Sequence, residues 1–153
     1  MKRLTDERAV EIAEAAQRLG VRVAVAESLT GGLLTARLAE APEASTWLRG
    51  GVVAYHAEVK YHVLGVDPGP VVTAWAARQM ARGVARLLRA DVAISVTGVG
   101  GPDEAEGQPP GTVWLGLWTK DRLFAYRKRF DGDPGEVCRL TCDAALGLLL
   151  DHL

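Results

Sequence analysis

The stretch AVAESLTGG, at residues 24–32, joins a short apolar run to a helical pattern, LLTARLAE, through a serine, a threonine and two glycines. A buried strand that leads directly into a helix is typical of α/β proteins. Short apolar strands and longer helical patterns continue to alternate along the chain. We therefore predict an α/β fold, a three-layer α/β/α sandwich with a mixed, mostly parallel sheet that includes one antiparallel hairpin.

Caps and helix breakers set the predicted ends of the helices. Thr5 can cap the first helix, which Gly20 closes, and Thr73 can cap the longest of the later helices. Helices are predicted over residues 6–19, 30–41, 56–64, 74–88 and 134–150. Strands are predicted over residues 21–26, 51–55, 91–96, 112–119 and 123–130. The connection between the last two strands is short enough for an antiparallel hairpin.

The composition is that of one globular domain. The chain has 153 residues, 48% hydrophobic and 24% charged, so residues 1–153 are expected to form a single domain with its own core. The formal net charge of −1 gives no electrostatic reason to expect nucleic acid or an anionic membrane as a partner. The N-terminus is too charged for a signal peptide, and no apolar run approaches the ~18 residues of a membrane span. A cytoplasmic protein is expected.

The two cysteines are predicted to be free thiols. Cys138 and Cys142 lie four residues apart in the predicted last helix, on one face of it. A disulfide over so short a helical spacing would distort the helix. Two partly buried thiols in a reducing cytosol are therefore expected.

Two polar, glycine-rich joins, AESLTGG and TGVGGP, each follow a predicted strand. Open α/β sheets bind ligands beyond the carboxyl ends of their strands, so we expect both joins to line one crevice. Gly31 and Gly32 alone could simply permit a tight corner. Backbone N–H groups at such a helix start can also receive a phosphate or stabilise an oxyanion. Ser28 would be exposed to whatever binds there and is the candidate nucleophile.

A serine nucleophile needs a base at neutral pH. His56 and His62 share a helical segment with charged neighbours, and His152 lies at the frayed C-terminus, so a Ser-His-Asp triad is not expected. Three of the four lysines are terminal, in a hairpin turn or in a basic run. The fourth, Lys60, is therefore the candidate base. A surface lysine with an extended stem is the ordinary alternative for Lys60.

Three segments, AESLTGG, GGVVAYHAEVKYHVLGV and SVTGVGGPDEAEGQPPGTVWLGL, together resemble the CinA C-terminal domain family of nicotinamide-nucleotide amidases, in order and in spacing. The resemblance extends from about residue 4 to residue 150. It implies a three-layer α/β/α fold and hydrolysis of the carboxamide of nicotinamide mononucleotide to nicotinate mononucleotide and ammonia. It implies a small pyridine nucleotide as the ligand, and neither a metal nor a cofactor.

The resemblance also implies roles for individual residues. The nucleophilic serine of the family's AES-x-TGG motif falls on Ser28, its lysine base on Lys60 and its assisting tyrosine on Tyr55. Its Ser/Thr before the glycine of the second loop falls on Thr97. Backbone N–H groups of the two loops would hold the oxyanion and the ligand's phosphate. The substrate-binding residues expected from the loops are Thr30, Gly31, Gly32, Thr97, Gly98 and Gly101.

Three features depart from the family pattern. Residues 56–57 are His-Ala where members commonly have Ser-Asn, and the loop before Thr73 is about five residues shorter. Residues 132–134 read Gly-Asp-Pro in place of Gly-Asp-Arg, so an arginine expected to contact the ligand's phosphate or carboxamide is absent. Such a charge-assisted contact contributes about 1.5–3 kcal/mol, or roughly ten- to a hundred-fold in affinity. Arg139 is the candidate substitute.

Other functions stay open. A serine-lysine hydrolase of another small amide or ester would keep acylation at Ser28 but prefer a different substrate. A non-catalytic, pyridine-nucleotide-binding or regulatory module of the competence- and damage-inducible type would bind the nucleotide without turnover. A dinucleotide-binding Rossmann domain is disfavoured, because TGVGGP does not match G-x-G-x-x-G before a helix. Exposed apolar strand or helix faces would favour a homodimer.

Overall fold

The computed structural model describes residues 6–120 and 122–153, so Thr5, the predicted cap of the first helix, lies outside it. The helices are α1 (Glu7–Leu19), α2 (Leu33–Ala39), α3 (Ala44–Trp47), α4 (Ala57–Leu64), α5 (Ala74–Leu88) and α6 (Pro134–Asp151). The strands are β1 (Val23–Glu27), β2 (Leu48–Val53), β3 (Val92–Gly98), β4 (Thr112–Thr119) and β5 (Arg122–Arg129). Within the described ranges, no helix combines the length and the apolar character that crossing a membrane requires.

The five strands form one sheet in the order β2-β1-β3-β4-β5. β1 pairs in parallel with β2 and β3, whereas β4 pairs antiparallel with β3 and β5. Four strands therefore run in one direction and β4 runs against them, and the predicted hairpin of β4 and β5 is confirmed. Because β2, β1 and β3 are parallel, their carboxyl ends meet at one edge of the sheet.

Helices cover both faces of the sheet and give the predicted three layers. Alternate residues of β1 point to opposite faces. Val23 and Val25 join a core with α1, α2 and α6, and Ala24 and Ala26 join a second core with α4 and α5. All five positions of β1 are buried, as expected for a central parallel strand. The carboxyl end of β1 is therefore a fixed point for the residues that follow it.

The helix caps follow the sequence signals closely. Thr73 caps α5 by accepting a hydrogen bond from the Ala76 N–H, as predicted. Gly20 and Gly65 end α1 and α4 in left-handed conformations. Within the described residues, α1 is capped by Asp6, whose carboxylate accepts two backbone N–H groups of its first turn.

The two largest differences from the predicted bounds are at the starts of α2 and β2, and the structure adds one helix. α2 begins three residues later than predicted, because Gly31 (φ 58°) and Gly32 (φ 106°) adopt left-handed conformations that an α-helix excludes. β2 begins three residues earlier than predicted, because its two glycines hide the strand from a hydrophobic pattern. α3 has four residues and is too short to show a helical period.

Candidate active site

Ser28 follows the last residue of β1 and opens onto a cleft at the carboxyl edge of the parallel strands. The residue is only 6% exposed, and the cleft has a volume of about 350 Å³. It is lined by Ser28, Leu29, Tyr55, Gly98, Gly100, Gly101, Pro134, Gly135 and Cys138. No described residue forms a hydrogen bond with the Ser28 hydroxyl. Both glycine-rich joins thus contribute to one crevice, and the enclosed serine is available to a ligand there.

The corner between β1 and α2 is organised by Glu27, a residue that the sequence reasoning missed. Glu27 is fully buried, and its carboxylate accepts hydrogen bonds from five donors at 2.6–3.1 Å. The donors are Thr30 Oγ1, Gly32 N, Leu34 N, Thr35 N and Thr35 Oγ1. An acidic residue that directly ends an apolar strand was the sequence signal for this role.

The N–H groups of the first glycine pair are therefore used inside the protein. Gly31 N donates to Ser28 O at 3.0 Å, and Gly32 N donates to the Glu27 carboxylate at 3.1 Å. The Thr30 hydroxyl is likewise bonded to Glu27. Thr30, Gly31 and Gly32 were expected to bind substrate, but in this structure they shape the corner instead.

Lys60 is buried in α4, at 2% exposure, rather than lying on the surface. Its Nζ donates to the backbone oxygen of Tyr55 at 3.2 Å. Burial lowers the pKa of Lys60 below its ordinary value, and the negative charge of Glu106 partly opposes this effect by raising the pKa. The structure shows no hydrogen bond between Lys60 and Ser28, and Lys60 is not among the residues that line the cleft.

Tyr55 connects the two candidate catalytic groups. Its backbone oxygen accepts the hydrogen bond from Lys60, and the residue lines the cleft together with Ser28. Tyr55 is 71% exposed, so it is open to solvent and to a ligand. Tyr55 follows β2, and Ala54 N binds Glu27 O at 2.8 Å, which joins this segment to the end of β1.

The second glycine-rich loop is tied to the loop before α5. Thr97 is buried, and its hydroxyl donates to Val71 O at 2.9 Å, so it does not line the cleft as a substrate-binding group. Glu106 accepts from the N–H groups of Val71 and Val72, each at 2.9 Å. Gln108 donates to Val72 O at 2.8 Å. These bonds tie the short loop before α5 to the second glycine-rich loop.

Gly98 and Gly101 do line the cleft, as predicted for the second loop. A Cβ atom at Gly98 would lie 2.6 Å from the backbone oxygen of Thr112, so a side chain has no room there. Gly101 has φ 90°, a left-handed conformation that favours glycine. Gly100 lies beside them, and a Cβ there would be 3.8 Å from Leu29 Cβ. This loop therefore brings its backbone close to the segment that carries Ser28.

The start of α6 closes the cleft from the opposite side. Pro134, at the first position of α6, and Gly135 line it. The Cys138 thiol also lines it and donates to Leu29 O at 3.1 Å. Arg139 lies in a separate cleft with Arg37, is 64% exposed at its side chain and pairs with Glu136 at 3.8 Å. Arg139 therefore does not supply the cation that is missing at Pro134.

The three histidines and Cys142 do not line this cleft. His56 caps α4 and is exposed, and His62 is exposed, as predicted. His152 is not frayed, because its ring packs on Phe124 and its Nδ1 lies 2.9 Å from Leu148 O. Cys142 is a free, buried thiol, and burial raises its pKa to about 12. Burial also raises the pKa of the Cys138 thiol.

Comparison with known proteins identifies the family of the chain. The family model described as CinA C-terminal domain matches residues 5–153. The chain belongs to the CinA C-terminal domain family. The CinA superfamily structures described below show the same α/β architecture.

Relatives and solved structures of the family resemble the chain along most of its length. A protein of Halothermothrix orenii named competence-damage inducible is 38% identical over 150 residues, which are 94% of this chain and 36% of that protein. A Bacillus cereus protein named in the same way is 45% identical over 113 residues, 71% of this chain and 27% of that protein. The chain therefore spans about a third of the length of these curated relatives, or less.

The solved structures are closer to the chain in length. A CinA superfamily protein from Escherichia coli superposes with a TM-score of 0.94 at 30% identity, over 98% of this chain and 91% of that chain. Competence damage-inducible protein A from Klebsiella pneumoniae superposes with a TM-score of 0.93 at 33% identity, over 97% and 96% of the two chains. These solved structures have the same fold as this chain and belong to the family that the family model identifies.

Proposed function

We propose that this CinA-family chain is a nicotinamide-nucleotide amidase, which hydrolyses the carboxamide of nicotinamide mononucleotide to nicotinate mononucleotide and ammonia. One observation supports the proposal most strongly: Ser28 is enclosed, its hydroxyl has no hydrogen-bond partner among the described residues, and it opens onto the cleft. The hydroxyl faces the cleft with no competing hydrogen bond inside the protein, at the carboxyl edge of the sheet where open α/β folds bind their ligands, which favours a role in ligand chemistry. The substrate itself follows from the family resemblance.

The proposed reaction is acyl transfer through Ser28. Lys60 accepts the proton of the Ser28 hydroxyl while Oγ bonds to the carboxamide carbon. The C–N bond then breaks, the nitrogen takes a proton from Lys60, and ammonia leaves. Water attacks the resulting ester, releases nicotinate mononucleotide and restores the Ser28 hydroxyl. The burial of Lys60 supports this role, because a lowered pKa increases the fraction of neutral amine at a given pH.

Proton transfer from Ser28 to Lys60 needs either a movement of the lysine side chain or a group that relays the proton. In this structure the Lys60 ammonium is bonded to the Tyr55 carbonyl. Either the lysine side chain turns toward Ser28 when substrate binds, or the Tyr55 hydroxyl carries the proton between them. Catalytic hydrogen bonds are often long or absent in ligand-free structures and shorten in the substrate complex.

The developing oxyanion is assigned to the loop after β3. The N–H groups of Gly31 and Gly32 are already bonded to Ser28 O and Glu27. Gly98, Gly100 and Gly101 line the cleft next to Ser28, and their N–H groups are the candidate donors, since Val99 N already donates to Thr112 O. An oxyanion held there would lie between this loop and the corner that carries the serine.

A second candidate function is hydrolysis of another small amide by the same serine. The specific observation that favours it is Pro134, which lines the cleft where the family resemblance would place an arginine. A panel of nicotinamide mononucleotide, nicotinamide riboside, free nicotinamide and unrelated carboxamides separates the two candidates. Ammonia release fastest from nicotinamide mononucleotide supports the proposal, and fastest release from an unrelated amide supports the second candidate. Nucleotide binding without any ammonia release would contradict both.

Introducing the missing cation is expected to improve the use of the phosphorylated substrate. In Pro134→Arg, a guanidinium at the cleft gives the anionic phosphate a charge-assisted contact, which should lower KM for nicotinamide mononucleotide about tenfold. KM for free nicotinamide should not change. Pro134→Gln is the matched control, because it also removes the proline from the start of α6 but adds no charge. Equal KM values for the Arg and Gln variants would contradict the expectation.

Removing the charge of Glu106 is expected to shift the pH profile toward acid. The negative charge of Glu106 raises the pKa of Lys60, so Glu106→Gln lowers that pKa further. The neutral amine then persists to lower pH, and the acid limb of kcat/KM moves to lower pH. The measurement is kcat/KM against pH, with Glu104→Gln, an exposed residue of the same loop, as the control. A shift toward alkaline pH in Glu106→Gln would contradict the assignment of Lys60 as base.

A further inference from the structure

Glu27 is a completely buried carboxylate residue that directly precedes Ser28, the candidate nucleophile. It has no ion-pair partner among the described residues, and its five hydrogen bonds all come from residues 30–35. An ionised carboxylate is costly to bury unless hydrogen bonds replace its water, and five donors do so here. Two of these bonds come from hydroxyls at 2.6 Å, a length typical of bonds to a charged oxygen.

The arrangement is more than a helix cap. Elsewhere in the chain Thr73 caps α5, the longest helix apart from α6, with one neutral side chain and one bond to Ala76 N. Glu27 instead lies in β1 and reaches five to eight residues ahead to Gly32, Leu34 and Thr35. Its side chain therefore closes a ring of hydrogen bonds around the segment that contains Ser28 and Leu29.

The backbone on either side of Ser28 is fixed by further contacts. Gly31 N donates to Ser28 O at 3.0 Å, and Ala54 N donates to Glu27 O at 2.8 Å. Leu29 O accepts the thiol of Cys138 at 3.1 Å. Bonds from three different segments thus hold the serine, while its own hydroxyl stays free in the cleft. Glu27 is the one group of this set that connects the strand to the helix through its side chain.

We propose that Glu27 is a positioning residue: as an internal anion at the glycine corner, it holds Ser28 with its hydroxyl directed into the cleft. This inference rests on the proposed role of Ser28 as the nucleophile. It has a second consequence. Because the carboxylate occupies the donors at the start of α2, the anionic groups of the substrate and of the reaction are held by the loop at residues 98–101.

The test is Glu27→Gln, which keeps the size of the side chain but turns one acceptor oxygen into an NH2 group that faces other donors. A displacement of the nucleophile by about 1 Å can cost on the order of a hundred-fold in rate. We expect kcat for ammonia release to fall about 10- to 100-fold, with KM for nicotinamide mononucleotide changed less than about threefold. The rate at which a fluorophosphonate labels Ser28, with a P–O bond formed and fluoride released, should fall by a similar factor.

Ser95→Ala is the matched control. Ser95 is also fully buried, and its hydroxyl donates to Ala77 O at 2.6 Å, on the face of the sheet that α5 covers. The control should lose thermal stability but keep the labelling rate and kcat of the unmodified protein. If Ser95→Ala and Glu27→Gln both lose labelling rate and kcat in proportion to their loss of stability, the role of Glu27 is only structural and the inference is overturned.

The other possible results for these variants and for the unmodified protein also test the role of Glu27. A folded Glu27→Gln variant with unchanged labelling and kcat overturns the inference. If Glu27→Gln does not fold, Thr35→Val, which removes one of the five bonds, should slow labelling about threefold to tenfold, and unchanged labelling overturns the inference. If the unmodified protein is labelled at Ser28 but releases no ammonia from the nucleotide, the proposed substrate fails while the labelling comparison still tests Glu27. If it shows neither reaction, the proposed function fails, and the inference fails with it.

Discussion

Replacing Ser28 with alanine is expected to lower kcat for ammonia release from nicotinamide mononucleotide by about 10⁴-fold or more, because the variant lacks the hydroxyl that forms the acyl bond. The fold should be retained, since the Ser28 hydroxyl has no hydrogen-bond partner among the described residues. We expect the free energy of unfolding to change by less than about 0.5 kcal/mol. The measurement is the rate of ammonia release together with thermal unfolding of the same preparations.

Ser45→Ala is the control for this loss. Ser45 is an exposed serine of α3, remote in the chain from the corner. Its variant should keep the rate of the unmodified protein. A folded Ser28→Ala variant that still releases ammonia at a similar rate would contradict nucleophilic catalysis by this residue, whatever the substrate.

Replacing Lys60 with methionine is expected to lower kcat by about 10³-fold, because the candidate general base is lost while the buried volume is kept. The same variant should be more stable than the unmodified protein at pH 7. In the folded protein burial lowers the pKa of Lys60, so the charged lysine costs stability that methionine does not. Lys128→Met, at an exposed lysine, is the control and should change neither quantity substantially.

The pH dependence of this stability difference has a defined sign. Between the lowered folded-state pKa and the ordinary value of 10.5, the unfolded chain binds more protons than the folded one. The stability of the unmodified protein relative to the variant therefore rises with pH across this window. The advantage of Lys60→Met should be largest below the folded-state pKa and disappear above pH 10.5. A variant that is less stable than the unmodified protein at pH 7 would contradict a costly buried lysine.

The fold was predictable because its strands and caps carry strong local signals. β1 is a continuous apolar strand, and Thr73, Gly20 and Gly65 mark helix ends in the positions where the structure has them. The misplaced starts of α2 and β2 both involve glycines. At such positions the backbone conformation, rather than side-chain periodicity, decides where an element begins.

The candidate site was only partly predictable. Ser28 and the second loop could be placed in one crevice, because the carboxyl ends of parallel strands converge. The sequence did not reveal that Glu27 accepts the N–H groups of Gly32, Leu34 and Thr35, since the partners of a buried carboxylate depend on how the corner folds in three dimensions. It also did not reveal that Arg139 lies in another cleft or that Lys60 bonds the Tyr55 carbonyl. Both depend on side-chain direction.

The most direct test of the central claim is to quantify ammonia and nicotinate mononucleotide in the same sample after incubation of the purified protein with nicotinamide mononucleotide. We expect the two products to appear in equal amounts, and free nicotinamide under the same conditions to yield much less ammonia. A folded protein that binds the nucleotide but releases neither product would show that it is not a nicotinamide-nucleotide amidase. The Ser28 cleft would then be a binding site without amidase chemistry.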